Sequence, residues 1–178
     1  MSEPAPLLDR ASLARALTRI AHEIAERNAD DDAVLLLGIP RGGAHLARRL
    51  GKLLETIWGH AVPVGTLDIS MHRDDLSHRT ITEVFPTEIP GDVNGRVVVL
   101  VDDVLYSGRT VRAALDALHD FGRPRRVQLA VLVDRGHRDL PVRADYIGKN
   151  VPTSHKEWVH VRLAEEGGDD SFTLEKRT

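Results

Sequence analysis

Residues 98–110 read Val-Val-Leu-Val-Asp-Asp-Val-Leu-Tyr-Ser-Gly-Arg-Thr, the most informative stretch of the chain. An aliphatic run typical of a buried strand ends in two adjacent carboxylates, Asp102 and Asp103, which we call the acid pair. A small-residue loop follows, and then a helix-forming segment over 111–119. The loop and the helix start offer backbone N–H groups to a phosphate, while the carboxylates can hold sugar hydroxyls. This order favours a site for a phosphorylated sugar over a solvated acidic turn that merely caps the next helix.

Apolar periodicity predicts helices and strands on either side of this stretch. Helices are expected over 12–27, 44–57 and 111–120. Strands are expected over 34–37, 62–69, 97–101 and 127–133, with 146–147, 159–163 and 171–174 as short edge strands. Alternating strands and helices are typical of an α/β fold with a mainly parallel sheet, whose ligands gather at the carboxyl ends of the strands. No repeat or linker divides the 178 residues, so we expect a single domain over 1–178.

The composition excludes several kinds of site. No cysteine is present, which excludes disulfides, thiolate nucleophiles and cysteine-bound metals. No apolar run approaches the roughly 20 residues of a membrane span. Residues 1–9 are Pro-rich and acidic, unlike a secretion signal, so we expect a cytoplasmic protein without a membrane partner. The histidines have no tight ligand spacing, and a structural zinc site is not expected.

A glycine-rich loop follows the first predicted strand. Residues 38–43, Gly-Ile-Pro-Arg-Gly-Gly, form what we call the glycine loop. Its three glycines permit close backbone approach, and the permanent charge of Arg41 suits phosphate oxygens. Because carboxyl ends of parallel strands meet at one edge of a sheet, we expect this loop beside the acid pair. A plain strand-to-helix turn is the alternative interpretation.

Residues 98–110 closely resemble the phosphoribosyl pyrophosphate (PRPP) signature of the type I phosphoribosyltransferases. Together with Val-Arg-Ala-Ala-Leu-Asp-Ala-Leu at 111–118, they are similar to one branch of that family, the pyrimidine operon attenuators. Members of this branch are RNA-binding regulators that also act as uracil phosphoribosyltransferases. Residues 129–154 match the same branch and differ from most other phosphoribosyltransferases. The resemblance implies a mainly parallel sheet flanked by helices, with a small hood from the later segments.

The resemblance also implies a set of substrate contacts. Asp102, Asp103 and Arg41 would be the catalytic residues: the acid pair on the ribose hydroxyls and the cationic sugar, and Arg41 on pyrophosphate. Arg41 stands one position earlier in its loop than is usual in this branch. Mg²⁺ is the implied cofactor, held through PRPP oxygens and water rather than by direct protein ligands. The implied contacts of PRPP or UMP are Pro40, Arg41, Gly42, His72, Arg73, Asp102, Asp103, Val104, Leu105, Tyr106, Ser107, Gly108, Arg109, Thr110, Val133, Asp134 and Arg138.

Two segments after strand ends complete this implied site. Residues 70–90 have no regular apolar period, and the resemblance implies a flexible lid there, with His72 and Arg73 on pyrophosphate. Such a lid would keep water from a sugar that passes through a cationic transition state. A mobile surface loop is the alternative. Backbone groups at 133–136 would recognise the N–H and the two carbonyls of uracil, with Arg138 closing the pocket.

Charge is distributed unevenly along the chain. The net charge is −3, yet residues 121–150 hold seven Lys or Arg against three Asp. A basic face suits the phosphates of RNA, although runs of charge are commonly solvated surface. The RNA contacts that the resemblance implies are Thr18, His22, His137, Arg138, Arg143 and Lys149.

The sequence therefore predicts conversion of uracil and PRPP to UMP and pyrophosphate, together with UMP-responsive binding to the leader RNA of pyrimidine operons. A homodimer or larger homo-oligomer is implied. Two alternatives stay open. One is a phosphoribosyltransferase for orotate or a purine base without RNA binding. The other is an RNA-binding regulator with little catalysis, an alternative that the shifted position of Arg41 supports.

Overall fold

A five-stranded parallel sheet lies at the centre of the computed structural model, which describes residues 6–29, 33–73 and 84–176. In chain order the elements are β1 (Pro6–Leu8), α1 (Arg10–Arg27), β2 (Val34–Gly38), α2 (Gly42–Trp58), β3 (Val64–Thr66), β4 (Val97–Leu105), α3 (Arg109–His119), β5 (Arg126–Asp134), β6 (Tyr146–Asn150), β7 (Glu157–Arg162) and β8 (Ser171–Lys176). The order across the sheet is β3-β2-β4-β5-β6. The predicted α/β architecture is confirmed.

Strand β4 is the middle of the sheet and packs on both faces. Its residues Val97, Val99 and Val101 belong to the cluster that α1 and α2 cover. Val98 and Leu100 belong to the cluster under α3. Because both faces are covered, the strand is a continuous aliphatic run rather than an alternating one. The strand also continues beyond the predicted end at residue 101, through the acid pair to Leu105.

The predicted strand over 62–69 is much shorter than expected. Only Val64–Thr66 pair with β2. Beyond them the chain turns toward residues 86–88: the Thr66 hydroxyl donates to Pro86 O at 3.0 Å, and Asp68 N donates to the Thr87 hydroxyl at 2.9 Å. These bonds replace a continued ladder, so the following residues leave the sheet.

A second, antiparallel sheet of order β1-β8-β7 forms what we call the hood. The later segments supply β7 and β8 as predicted, but β1 comes from the N-terminal residues, where no strand was predicted. Phe172 on β8 is fully buried and joins the core under α1 and α2. Arg49 on α2 pairs with both carboxylate oxygens of Asp170 at 2.8 Å. Apolar and ionic contacts therefore both fix the hood to the central sheet.

Within the described ranges, no helix combines the length and apolar character that crossing a membrane requires.

Replacing Phe172 should weaken the whole fold, because its ring packs in the main core. We expect Phe172→Ala to lower the free energy of unfolding by about 3–5 kcal/mol in urea denaturation. Phe121→Ala serves as the matched control, since Phe121 is 48% exposed and should change stability by less than about 0.5 kcal/mol. Equal effects of the two substitutions would contradict the packing of the hood described above.

Candidate functional site

The acid pair lies at the carboxyl end of β4. Asp102 is 6% exposed, and its Oδ1 accepts a hydrogen bond from Asp103 N at 2.9 Å. The Oδ1 atom of Asp103 accepts from Val104 N at 2.7 Å. Burial raises the pKa of the Asp102 carboxyl, and the neighbouring charge of Asp103 raises it further. Burial also raises the pKa of Asp103. Two adjacent carboxyls, one buried and one half-buried, are costly to ionise together, and such pairs are concentrated at functional sites.

The β4–α3 turn (residues 105–110) follows the acid pair and begins α3. Gly108 has φ of +92°, a conformation that favours glycine, and as the N-cap residue it offers no side chain to the first turn of α3, where the Ser107 hydroxyl accepts a long bond of 3.4 Å from Arg109 N. The N-terminus of α3 is therefore suited to an anion. A cavity of about 340 Å³ opens over this turn. It is lined by Arg73, Asp102, Val104, Leu105, Tyr106, Ser107, Gly108, Arg109, Thr110, Asp139 and Trp158.

The glycine loop lies directly against the end of β4, as expected. A Cβ on Gly42 would lie 2.6 Å from Asp103 Oδ2, and one on Gly43 would lie 2.3 Å from Val101 O. Ile39 N donates to the same Val101 oxygen at 2.9 Å. Only residues without a side chain fit there, so both glycines are required for the loop to reach the acid pair. The Pro40–Arg41 peptide bond is cis.

Arg41 lies beside the cavity of the acid pair rather than in its wall. Its guanidinium carbon lies 5.8 Å from the centre of the Phe85 ring. It lines a second cavity of about 370 Å³ together with Pro40, His45 and Arg48. The structure thus brings the backbone of the glycine loop to Asp103 while the charge of Arg41 faces the neighbouring space.

The side chains of His72 and Arg73, although adjacent in sequence, contact different parts of the structure. Arg73 lines the cavity of the acid pair, and its positive charge opposes the rise in the pKa of Asp102. His72 Nε2 lies 2.9 Å from Asp120 Oδ2, just beyond the C-terminal end of α3. Its buried Nδ1 has no hydrogen-bond partner among the described residues. Residues 74–83, the middle of the predicted lid, lie outside the described residues.

The segment after β5 is joined to the β4–α3 turn by several hydrogen bonds. Val133, one of the predicted base contacts, is fully buried. Arg138 donates to Tyr106 O at 2.8 Å and forms an ion pair with Asp134. The guanidinium of Arg138 is thus already engaged by groups of this protein. The same region contains Arg135, which is only 5% exposed.

Three side chains at this site were absent from the predicted substrate contacts, although the backbone of Arg135 lies within the predicted segment 133–136. Asp139 and Trp158 line the cavity, and Arg135 lies beneath the ring of Tyr106. Trp158 belongs to an edge strand in which alternate residues are exposed, a pattern that predicts only a surface position. Arg135 looked like one more charge of a basic surface, because nothing in its neighbours indicates burial.

The predicted RNA contacts divide into two groups. Thr18 and His22 are exposed one turn apart on α1, and α1 packs beside β6, which carries Lys149. The bond of 2.6 Å from Arg19 to Gly148 O joins the two elements. Arg143 is also exposed.

The second group is partly buried. The His137 ring donates a hydrogen bond from Nε2 to Thr153 O, and its centre lies 4.0 Å from that of the His155 ring. Arg138 is held by the contacts given above. These two side chains are less available to RNA than the first group.

Comparison with known proteins identifies the family. The profile of the phosphoribosyl transferase domain matches residues 6–164. "Bifunctional protein PyrR" of Streptomyces coelicolor is 62% identical over 173 residues, covering 97% of this chain and 90% of the relative. The protein of the same name from Bacillus pumilus is 54% identical over 177 residues, covering 98% of each chain.

Solved structures agree on the fold. The hypoxanthine phosphoribosyltransferase of Trypanosoma cruzi superimposes with a TM-score of 0.74 at 15% identity, covering 99% of this chain and 98% of the other. The HGPRT-ase of Leishmania tarentolae, solved in complex with GMP, has the same score at 19% identity, covering 98% and 97%. Such low identities establish the fold and leave the base open. The chain belongs to the phosphoribosyltransferase family and, within it, to the bifunctional PyrR proteins.

Proposed function

We propose that the protein converts uracil and PRPP to UMP and pyrophosphate, and that it regulates pyrimidine genes by UMP-responsive binding to leader RNA. The observation that carries the enzymatic part is the joint position of the acid pair, the glycine loop and the start of α3 around one sheet edge. The RNA-binding part is supported by identities of 52–62% to the bifunctional relatives along nearly the whole chain.

Each part of the site has a role in this reaction. The N–H groups of the β4–α3 turn bind the 5-phosphate, with the hydroxyls of Ser107 and Thr110 beside them. Asp102 and Asp103 hold the ribose hydroxyls and stabilise the positive charge that develops on the sugar. The uracil nitrogen attacks the anomeric carbon as pyrophosphate leaves. The backbone of the glycine loop and the guanidinium of Arg73 face the departing charge.

Arg41 has a less direct role than its residue type alone indicates. Its guanidinium stands over Phe85 in the neighbouring cavity, so it contributes a positive field beside pyrophosphate. His72 does not face the cavity in this conformation, since it contacts Asp120. Arg138 supports the base pocket through Tyr106 and Asp134.

The acid pair also fits Mg²⁺. This ion typically takes one or two carboxylates and completes its shell with substrate phosphates and water. Among the described residues no group of three or more His, Cys, Asp or Glu side chains could hold a metal alone. Asp102 and Asp103, acting through water, are the candidate contacts of an ion that arrives with PRPP, where Mg²⁺ would neutralise charge on pyrophosphate.

RNA binding is assigned chiefly to the surface of α1 and β6, where Thr18 and His22 are exposed and Lys149 is half-buried. Thr18, His22 and Lys149 offer hydroxyl, imidazole and ammonium groups, and Arg143 extends the basic surface. His137 and Arg138 contribute indirectly to RNA binding, because their contacts fix the conformation of the segment that contains them. We also propose that the protein is cytoplasmic, since PRPP and nascent transcripts occur in that compartment. We further propose that it associates with copies of itself.

Removing one carboxylate of the acid pair should abolish most of the activity. For Asp102→Asn we expect kcat to fall by about 10²-fold or more, because a charge that stabilises the cationic sugar is lost. The measurement is pyrophosphate release from PRPP with uracil, and in parallel with hypoxanthine. Asp116→Asn, an exposed change on α3, is the control and should behave as the parent protein. Turnover by the parent with hypoxanthine but not with uracil would exclude the proposed base.

The same substitution should stabilise the fold at neutral and alkaline pH. The folded-state pKa of Asp102 is raised, so ionising this group costs stability as pH rises from its ordinary value of about 3.8 through the raised value. Asn carries no such cost. We expect the excess stability of Asp102→Asn to be absent below pH 3.8, to grow through this window and then to level off. Urea denaturation across pH tests this, and an Asp102→Asn protein less stable than the parent at pH 8 would contradict it.

The α1 surface should be needed for RNA binding. We expect the double substitution Thr18→Ala, His22→Ala to weaken binding of the pyrimidine-operon leader in the presence of UMP by about 10-fold or more at fixed salt. His160→Ala, an exposed histidine of the hood, is the control. Thermal unfolding checks that both variants are folded. Binding by the parent that ignores UMP or RNA sequence would contradict the regulatory role.

A further inference from the structure

Arg135 is a buried cation whose hydrogen bonds all go to neutral groups. It is the first residue after β5 and is 5% exposed. Its Nε donates to the Thr153 hydroxyl at 3.2 Å, and Nη2 donates to Ser154 O at 3.4 Å and Glu157 O at 2.6 Å. The guanidinium carbon lies 4.1 Å from the centre of the Tyr106 ring. The contacts fix the orientation of the guanidinium, and none of them is an ion pair, although the charge of the Glu157 carboxylate interacts with that of Arg135 at longer range.

The absence of an ion pair distinguishes Arg135 from two other arginines that are at least half-buried, Arg49 and Arg138. Arg49 pairs with Glu165 and Asp170, and Arg138 pairs with Asp134. Across residues 6–29, 33–73 and 84–176, Arg135 forms no ion pair, and its Nη1 donates no hydrogen bond. Burial of a charge is costly unless an opposite charge or a ligand compensates it. An anionic ligand near Arg135 would supply that compensation.

The β4–α3 turn is where such an anion would bind. Tyr106, whose ring covers the guanidinium, lines the cavity together with Ser107 and Thr110. The side chains of this turn are neutral except for Arg109, whose Nε lies 3.4 Å from Asp139 Oδ2. A phosphate bound to the backbone N–H groups would carry up to two negative charges into a partly enclosed space. The nearby charge of Arg135 acts there through a medium of low dielectric constant.

We infer that Arg135 balances the charge of the nucleotide 5-phosphate from beneath Tyr106 and positions that ring, without touching the reacting atoms. This role rests on the proposed function, which places the 5-phosphate in the β4–α3 turn. The backbone reinforces the connection, since Arg135 N donates to Leu105 O at 3.1 Å. Arg135 is thus a positioning and electrostatic residue of the phosphate subsite.

A comparison of UMP with uridine separates this role from a merely structural one. We expect Arg135→Gln to weaken UMP binding by about tenfold or more, because a buried charge opposite a phosphate is lost, and to change uridine binding by less than about twofold. The KM for PRPP should rise while kcat stays within about threefold of the parent, since the 5-phosphate does not react. Arg126→Gln is the matched control, because Arg126 is exposed at the opposite end of β5.

Calorimetric titration of each protein with UMP and with uridine gives distinct outcomes. Equal losses of UMP and uridine affinity in Arg135→Gln would overturn the inference, and so would unchanged UMP affinity. Should that variant fail to fold, Arg135→Lys keeps the test, because it retains the charge and should preserve most of the preference for UMP over uridine. Loss of that preference in folded Arg135→Lys would overturn the inference. A parent protein that binds no UMP would overturn the proposed function itself.

Discussion

The approach of the glycine loop to the end of β4 is the contact on which the site depends. Backbone meets backbone there: a Cβ on Gly38 would lie 2.4 Å from Gly43 O, and one on Gly43 would lie 2.3 Å from Val101 O. No side chain fits at these distances. The result is that α2 begins beside the acid pair, and that the ends of the two central strands β2 and β4 form one continuous polar edge. Everything assigned to ligand binding is arranged around that edge.

The acid pair lowers the stability of the fold while it provides the charged groups of the site. A strand that is aliphatic over five residues continues, without leaving the sheet, into two carboxyls whose pKa values burial raises. Apolar residues at these positions would extend the core at no electrostatic cost. The apolar packing on both faces of β4 and around Phe172 offsets the free-energy cost of ionising these carboxyls. In the proposed reaction, a sugar that becomes cationic adds positive charge beside these carboxyls to that of Arg73.

The central architecture follows from the sequence because its causes are local and periodic. Runs such as 34–37 and 97–101 are aliphatic on both faces, and only a covered parallel sheet buries them. Strand β1 was missed because three residues carry no measurable period, and their pairing partner, β8, lies more than 160 positions along the chain. The directions in which single side chains point could not be predicted from the sequence either.

Two of the predicted pyrophosphate contacts illustrate this limit. His72 ends the 3₁₀ turn at Ser70–His72 and Arg73 follows in extended backbone, so the two side chains could not be expected to share a target. At the start of α2, a shift of one position turns a side chain by about 100°, which agrees with Arg41 facing Phe85. Residue type and place in a loop thus predict a charge near the site, whereas the backbone conformation decides what that charge faces.

The segment 135–142 gives the proposed regulation a physical basis. Ser107 O accepts hydrogen bonds from Asp139 N at 2.9 Å and from Leu140 N at 3.1 Å, so this segment is attached to the turn assigned to the 5-phosphate. The segment also contains His137, one of the residues implied in RNA binding. A nucleotide that orders the turn therefore orders the segment as well. Because linkage is reciprocal, RNA that selects the ordered segment must tighten UMP binding by the same factor by which UMP tightens RNA binding.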